Sequence, residues 1–306
     1  MSFGDDVLRA LQSGESLAHL GLERDGDGRW ILDAAVLEER QAVLPPARLH
    51  GVTVESVNFR GSRWSDVEVV DSVVTNCVFD DSVLIDWYTE ASEWRECRFR
   101  HARLKEFNMS GARRRWSRPT LWDRVDFSRS DLRATFHLDE RYVDCDFAGA
   151  RLDAVDFQGS VHERSRFAGM VKDVTFRRYA THRRRLRATA NEMRGVNFAG
   201  ARLRFCGFWG IGLGDAILPA DTSHLVFKPK VRTARSVLRA LEAEGRPSWS
   251  NGLQVAMERM VAQGPTGADA LAVLDPTVLS GDLAARRRGV DLICREAEWV
   301  TGGDVA

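Results

Sequence analysis

Along the middle of the chain, large apolar residues return at every fifth position. Val57-Asn58-Phe59, Ser62-Arg63-Trp64, Val67-Glu68-Val69, Ser72-Val73-Val74, Cys77-Val78-Phe79 and Ser82-Val83-Leu84 each begin five residues after the last and read small, polar, large. The pattern resumes at Ser92-Glu93-Trp94, Cys97-Arg98-Phe99, Ala102-Arg103-Leu104 and Phe107-Asn108-Met109, then at Val125-Asp126-Phe127 and Ser130-Asp131-Leu132. Later blocks hold Cys145-Asp146-Phe147, Ala150-Arg151-Leu152 and Val155-Asp156-Phe157, then Val196-Asn197-Phe198, Ala201-Arg202-Leu203 and Cys206-Gly207-Phe208. A period of five fits neither the 3.6 of a helix nor the 2 of a strand, so no ordinary amphipathic element satisfies it. A coil with corners does: each pentapeptide makes one side, its small and large residues point inward, and the other three face water. Four sides per turn predict a second period of twenty, met by Phe59, Phe79 and Phe99 as one column and Phe127, Phe147 and Phe167 as another. Cys77 and Cys97 stack in the same way.

The stretch Cys145-Asp146-Phe147-Ala148-Gly149-Ala150-Arg151-Leu152 is its clearest spelling and resembles the A-(D/N)-(L/F)-x-x consensus of the pentapeptide-repeat family. The resemblance runs from about Leu49 to Leu218. It implies an all-β solenoid, a right-handed quadrilateral β-helix of pentapeptide repeats, with a short N-terminal cap and a C-terminal α-helical region. The expected division is a cap over 1–45, the repeats over 46–229 with loops near 111–121 and 177–192, and a helical domain or dimerisation region over 230–306. Four residues depart from the frame. Trp87 falls at a small inward position, and Arg114, His137 and His162 fall at large apolar ones, which predicts local bulges or coil ends there. The first break, Gly111 to Pro119, adds about three residues before the frame resumes near Trp122; the second lies between Phe176 and Met193.

At the N-terminus Val7, Leu8 and Leu11, then Leu17, Leu20 and Leu22, form a short amphipathic pattern before the turn Asp25-Gly26-Asp27-Gly28. That turn lacks the third acid and the terminal Glu of a calcium loop, so it reads as a hairpin. After Val231 the five-fold pattern ends. Val231, Ala234, Val237, Leu238 and Leu241 follow helical spacing until Gly245-Arg246-Pro247 stops them. Leu253, Met257, Met260 and Val261 make a second helical stripe, Leu271, Leu274 and Val278 a third segment, and Leu283 to Trp299 a fourth. These helices form either a small packed domain or a dimer contact.

Composition narrows the function classes. No run of 18 apolar residues and no leader-like start is present, so the chain is expected in the cytoplasm and off the membrane. Five cysteines without CxxC spacing read as buried small residues. The seven histidines are scattered, with no HExxH, GxSxG or phosphate-loop motif, so no metal, cofactor or enzymatic activity is expected.

The 44 basic and 44 acidic residues cancel, yet their distribution is uneven. Residues 54–94 set two arginines against nine acids, while residues 95–204 hold 26 bases against 14 acids. The acidic stretch offers Asp66, Glu68, Asp71, Asp80, Asp81 and Asp86 as one face. The two breaks are arginine-rich: Arg113, Arg114, Arg115, Trp116 and Arg118 in the first, and Arg177, Arg178, Tyr179, Arg183, Arg184, Arg185 and Arg187 in the second. Guanidinium forks beside aromatic rings suit phosphates or carboxylates, although a solvated loop has the same composition. The resemblance implies a non-enzymatic protein-interaction module. Family members that protect a type II topoisomerase (gyrase) or give self-resistance to a toxin or antibiotic do so with an acidic rod that imitates duplex DNA. This chain matches in rod, loops and helical tail, but its 95–204 region is basic. An assembly scaffold for another protein, homodimerisation through residues 231–306, and nucleic-acid binding through the arginine loops are the other expectations.

Overall fold

The computed structural model describes residues 2–40, 44–105, 108–110, 118–178, 192–211, 213–219, 224–228, 230–262 and 272–301. Its middle is built of short strands in parallel sheets, and the chain meets its own ladder again about every twenty residues. Val54 pairs with Val74, Val74 with Trp94, Trp122 with Tyr142 and Tyr142 with His162, so inward residues of one face stack layer on layer. A second face stacks Leu49, Val69 and Thr89, and further on His137, Phe157, Phe176 and Phe208. The remaining two faces stack Phe59 with Phe79 and Trp64 with Leu84.

The two predicted phenylalanine columns are one. Phe59, Phe79, Phe99, Phe127, Phe147, Phe167 and Phe198 stack with ring centroids 5.0, 4.9, 5.3, 5.1, 4.8 and 5.1 Å apart. The column continues because the first break adds a whole side as well as the three residues that shift the frame. Trp94 pairs with Trp122, twenty-eight residues on, so eight residues leave and return at one corner. Leu121 is already back in the ladder opposite Glu93, so the expected loop over 111–121 ends sooner.

The corners explain the period. From Gly51 to His101 the residue before each small inward position is left-handed, with φ between 50° at Asp71 and 69° at Gly61. A left-handed L-residue costs roughly 1–2 kcal/mol, least for Asn and Asp, whose short side chains bond locally. Four of the expected acidic-face residues, Asp66, Asp71, Asp81 and Asp86, stand at such corners, so backbone conformation by itself favours their residue type.

No bulge accommodates the frame-breaking residues. Trp87 sits in register with Val67 and is buried, its ring edge-on to those of Trp64 and Phe79. His137 and His162 likewise occupy inward positions in unbroken ladders. Imidazole is a flat ring, and both stack among Tyr142 and Phe157 as a phenylalanine would, His162 lying 4.8 Å from Tyr142. Arg114 lies outside the described residues.

At the N-terminal end, α1 (Phe3–Ser13) begins with a Ser2–Asp5 capping box and stops at Gly14, φ 70°. The Asp25 turn is a hairpin, its carboxylate accepting from the Asp27 and Arg29 amides. Trp30–Ile31 then pairs with Val57–Asn58, and α2 (Ala34–Glu39) follows.

The C-terminal region is not wholly helical. Leu225–Lys228 forms the centre of a three-stranded antiparallel sheet between Ala272–Leu274 and Glu298–Thr301. The expected third helix is therefore that Ala272–Leu274 strand followed by a single 3-10 turn, because Pro276 can open a helical turn but cannot sit inside a helix. The fourth ends at Glu296, short of Trp299. Around the sheet pack α3 (Lys230–Ala243), α4 (Asn251–Ala262) and α5 (Leu283–Glu296). They share a core of Phe227, Val237, Leu241, Leu253, Met257 and Ile293. Arg202 from the repeats donates to the fully buried Asp275 at 2.9 Å, and the Lys230 ammonium donates to the Phe208 carbonyl at 3.2 Å.

Candidate functional site

The interior of the stack is filled. Every ring of the long phenylalanine column is at most 3% exposed. Polar groups inside it are engaged with one another: His137 shares hydrogen bonds with Thr135 at 2.8 Å and with the Tyr142 hydroxyl at 2.6 Å. Burial lowers the pKa of both His137 and His162 to about 3, which keeps the rings neutral. The thiols of Cys97 and Cys145 are pushed up by burial, that of Cys145 to about 12, so neither is a nucleophile. Among the described residues no group of three His, Cys, Asp or Glu is placed to hold a metal ion. Among them, too, no helix is long and apolar enough to cross a membrane.

The corners and outer walls remain. The arginines from 98 onward are largely committed to acids of neighbouring layers. Arg98 meets Asp80 at 2.7 Å, Arg100 meets Asp126 at 2.6 Å, Arg164 meets Asp144 at 2.7 Å and Arg124 meets Glu96 at 2.8 Å. The hydrogen bond from Arg164 holds the Asp144 carboxyl below its ordinary range. These are mostly exposed pairs, each contributing about 0–1 kcal/mol. Their larger effect is to neutralise the wall.

Of the expected acidic face, Asp80 is buried and taken by Arg98 and the Arg100 amide, Asp81 is paired with Arg60 at 3.0 Å, and Glu68 faces His50 at 3.5 Å. Asp66, Asp71 and Asp86 are exposed and have no side-chain partner among the described residues. Asp66 and Asp86 stand one above the other at one corner, about 4.8 Å apart by ladder spacing. Asp71 stands at the next corner.

Of the basic candidates, Arg118 donates to Glu93 at 2.5 Å beside Arg95, and the two hydrogen bonds hold the Glu93 carboxyl low. Arg177 faces Asp156 at 3.5 Å and lies over the Trp209 ring at 5.0 Å, and Arg178 lies beside Gly210. Arg113, Arg114, Arg115, Trp116, Tyr179, Arg183, Arg184, Arg185 and Arg187 lie outside the described residues.

What the ladder does place is where those segments leave the stack. The first departs after Ser110 and re-enters at Arg118, between the face ending at Leu138 one layer later and the face beginning at Arg141. The second departs after Arg178, on the face of Phe176, and returns at Glu192. Both breaks therefore open on the same edge, three layers or about 14 Å apart.

Between them that edge carries a feature the five-residue frame contained but did not single out. Glu140 falls in the small inward series Ser92, Thr120, Glu140, Ser160. It is 1% exposed and accepts from the Trp122 indole at 2.9 Å. Burial pushes its carboxyl well up, with Asp139 and Glu90 adding like charge. An acid in a column of serines and threonines was the available signal.

No family model and no curated protein matches the chain at a significant level. Among solved structures, it is similar to HetL, a pentapeptide repeat protein involved in heterocyst differentiation regulation from the cyanobacterium Nostoc sp. strain PCC 7120. That match has 12% identity over 56% of this chain and 83% of HetL, with a TM-score of 0.20. It is also similar to full-length QnrB1, a plasmid-mediated fluoroquinolone resistance protein, at 13% identity over 53% of this chain and 84% of QnrB1, with a TM-score of 0.21. A third match is the A-module of the mannuronan C-5 epimerase AlgE4 of Azotobacter vinelandii, at 10% identity over 56% of this chain and 61% of the module, TM-score 0.21. The pentapeptide-repeat reading rests on the chain's own frame and ladder register.

Proposed function

We propose that the chain is a non-enzymatic protein-interaction module, a right-handed quadrilateral β-helix that binds its partner on the outer wall. The supporting observation is the filled interior: rings stacked about 5 Å apart along the whole column occupy the space where an internal substrate site would lie. The binding edge in this reading is the one on which both arginine-rich breaks open. The finer reading, protection of a type II topoisomerase or resistance to a toxin or antibiotic, draws on the rod, its interrupting segments and the C-terminal helices. In a gyrase supercoiling assay with a poison, added protein should restore supercoiling. No rescue at large molar excess would remove the topoisomerase reading and leave the interaction module.

One observation favours a second reading. The two arginine-rich segments share an edge in a region that is net basic, which suits phosphates along a nucleic acid. Duplex affinity should then fall steeply with salt and vanish in Arg183→Ala/Arg184→Ala/Arg185→Ala. Salt-independent or absent binding would exclude it. Assembly through residues 231–306 is tested in the same preparation by sedimentation of the intact chain, where a monomer at all concentrations would exclude the homodimer.

A further inference from the structure

The first layer of the stack is closed unevenly. On the Val57 face, Trp30–Ile31 supplies an added strand, with Trp30 and Leu32 amides donating to the Ser56 and Asn58 carbonyls at 2.8 Å each. On the Ala47–His50 face, α1 lies against the edge and the Gln12 amide donates to the Arg48 carbonyl at 3.2 Å. On the Trp64 face, α2 covers Gly61, where an added Cβ would meet Ala34 at 3.0 Å. The strand Thr53–Glu55 is different: it pairs only with Val73–Thr75 on its inner side. The Val52 carbonyl accepts from the Val73 amide at 2.9 Å and the Ser56 amide donates to the Thr75 carbonyl at 3.0 Å. By the alternation of a parallel ladder, the N–H and C=O groups of Thr53 and Glu55 point the other way, into a groove of about 530 Å³.

We propose that this groove accepts an extended basic peptide segment of a partner protein, added as a further strand on Thr53–Glu55. The site is independent of the arginine-bearing edge. Backbone groups in a row can be satisfied together only by another strand, the mode of recognition known as strand addition. The side chains specify which strand. Val54 points into the core, and Leu11 and Leu17 line the groove beside it, so the incoming residue opposite Val54 is apolar. Its neighbours lie outward next to Glu55 and Glu15, two exposed carboxylates without a side-chain partner among the described residues. The one groove arginine, Arg24, is held against the Trp30 ring at 4.0 Å and to the Gly28 carbonyl. Cation, apolar residue, cation is the complementary pattern.

The test uses the intact protein and the capped pentapeptide Lys-Val-Lys-Val-Lys, followed by amide NMR and hydrogen exchange. Saturable binding is expected, with new protection at the Thr53 and Glu55 amides. A strand offers hydrogen bonds on alternate residues, so N-methylation of either the valines or the lysines, but not both, should weaken binding by at least about tenfold. Glu55→Lys, an exposed change, should weaken it by a similar factor and leave the far-ultraviolet dichroism unchanged. Absence of saturation in the millimolar range, equal tolerance of both methylation patterns, or protection at other amides would overturn the proposal.

Discussion

Removing one ring from the phenylalanine column tests the frame most directly. Phe147 is 1% exposed and lies between Phe127 at 5.1 Å and Phe167 at 4.8 Å, with Tyr142 and Phe157 presenting edges at 5.6 and 6.2 Å. Burying such a side chain stabilises by about 1.5–3 kcal/mol, and its ring pairs add about 0.5–1.5 kcal/mol each. The flanking layers are bonded to one another by the backbone ladder and cannot collapse into the space. Phe147→Ala should therefore cost about 3–5 kcal/mol. Phe59 stands at the end of the column with one stacked neighbour, Phe79 at 5.0 Å, so Phe59→Ala should cost about 1 kcal/mol less. Urea denaturation followed by circular dichroism, at unchanged m-value, gives both numbers. A loss below about 1 kcal/mol for Phe147→Ala, or one equal to that of the exposed control Arg129→Ala, would refute the stacked column.

Three further outcomes are expected. Because burial lowers the pKa of His137 and His162 to about 3 against roughly 6.5 unfolded, the unfolded chain binds more protons between those values, and stability falls as pH drops through that window. Glu140 acts in the opposite sense, so the histidine contribution is read by difference: His162→Phe should have a slope between pH 7 and 5 shallower by about 1.4 kcal/mol per unit, and an unchanged slope would contradict a neutral buried His162. At the exposed left-handed corner Ala154, φ 62°, glycine should raise stability by about 1 kcal/mol and valine should lower it; the opposite order in thermal melts would contradict the corner assignment. Arg202→Ala leaves the buried Asp275 carboxylate with Thr277 and the more distant Arg204 at 3.9 Å, and should cost about 2–3 kcal/mol with faster proteolysis between the repeats and the C-terminal helices. Identical cleavage rates would show that this contact does not hold the two regions together.

The repeat was legible because its information is local. A small residue, a large one two places on and a left-handed corner two beyond that, as in Cys145, Phe147 and Gly149, set which side chains face inward without reference to any distant partner. Capping residues and helical spacing placed α3, α4 and most of α5 for the same reason. The ring at His162 could be placed inward by counting, but only its packing against Tyr142 showed that a histidine can fill a phenylalanine's place without a bulge. Register across the two breaks was not legible, because the number of residues that leave a corner and return is not encoded in the flanking pattern. That number decided that two columns are one, that both arginine-rich segments open on the same edge, and which arginine neutralises which acid. Asp80 and Asp86 look alike in the sequence; one is buried under Arg98 and the other is exposed, because charge pairing runs between layers, along a direction the linear pattern does not contain. The chain order by itself determined what lies inside, and the stacking of layers decided what the outside offers.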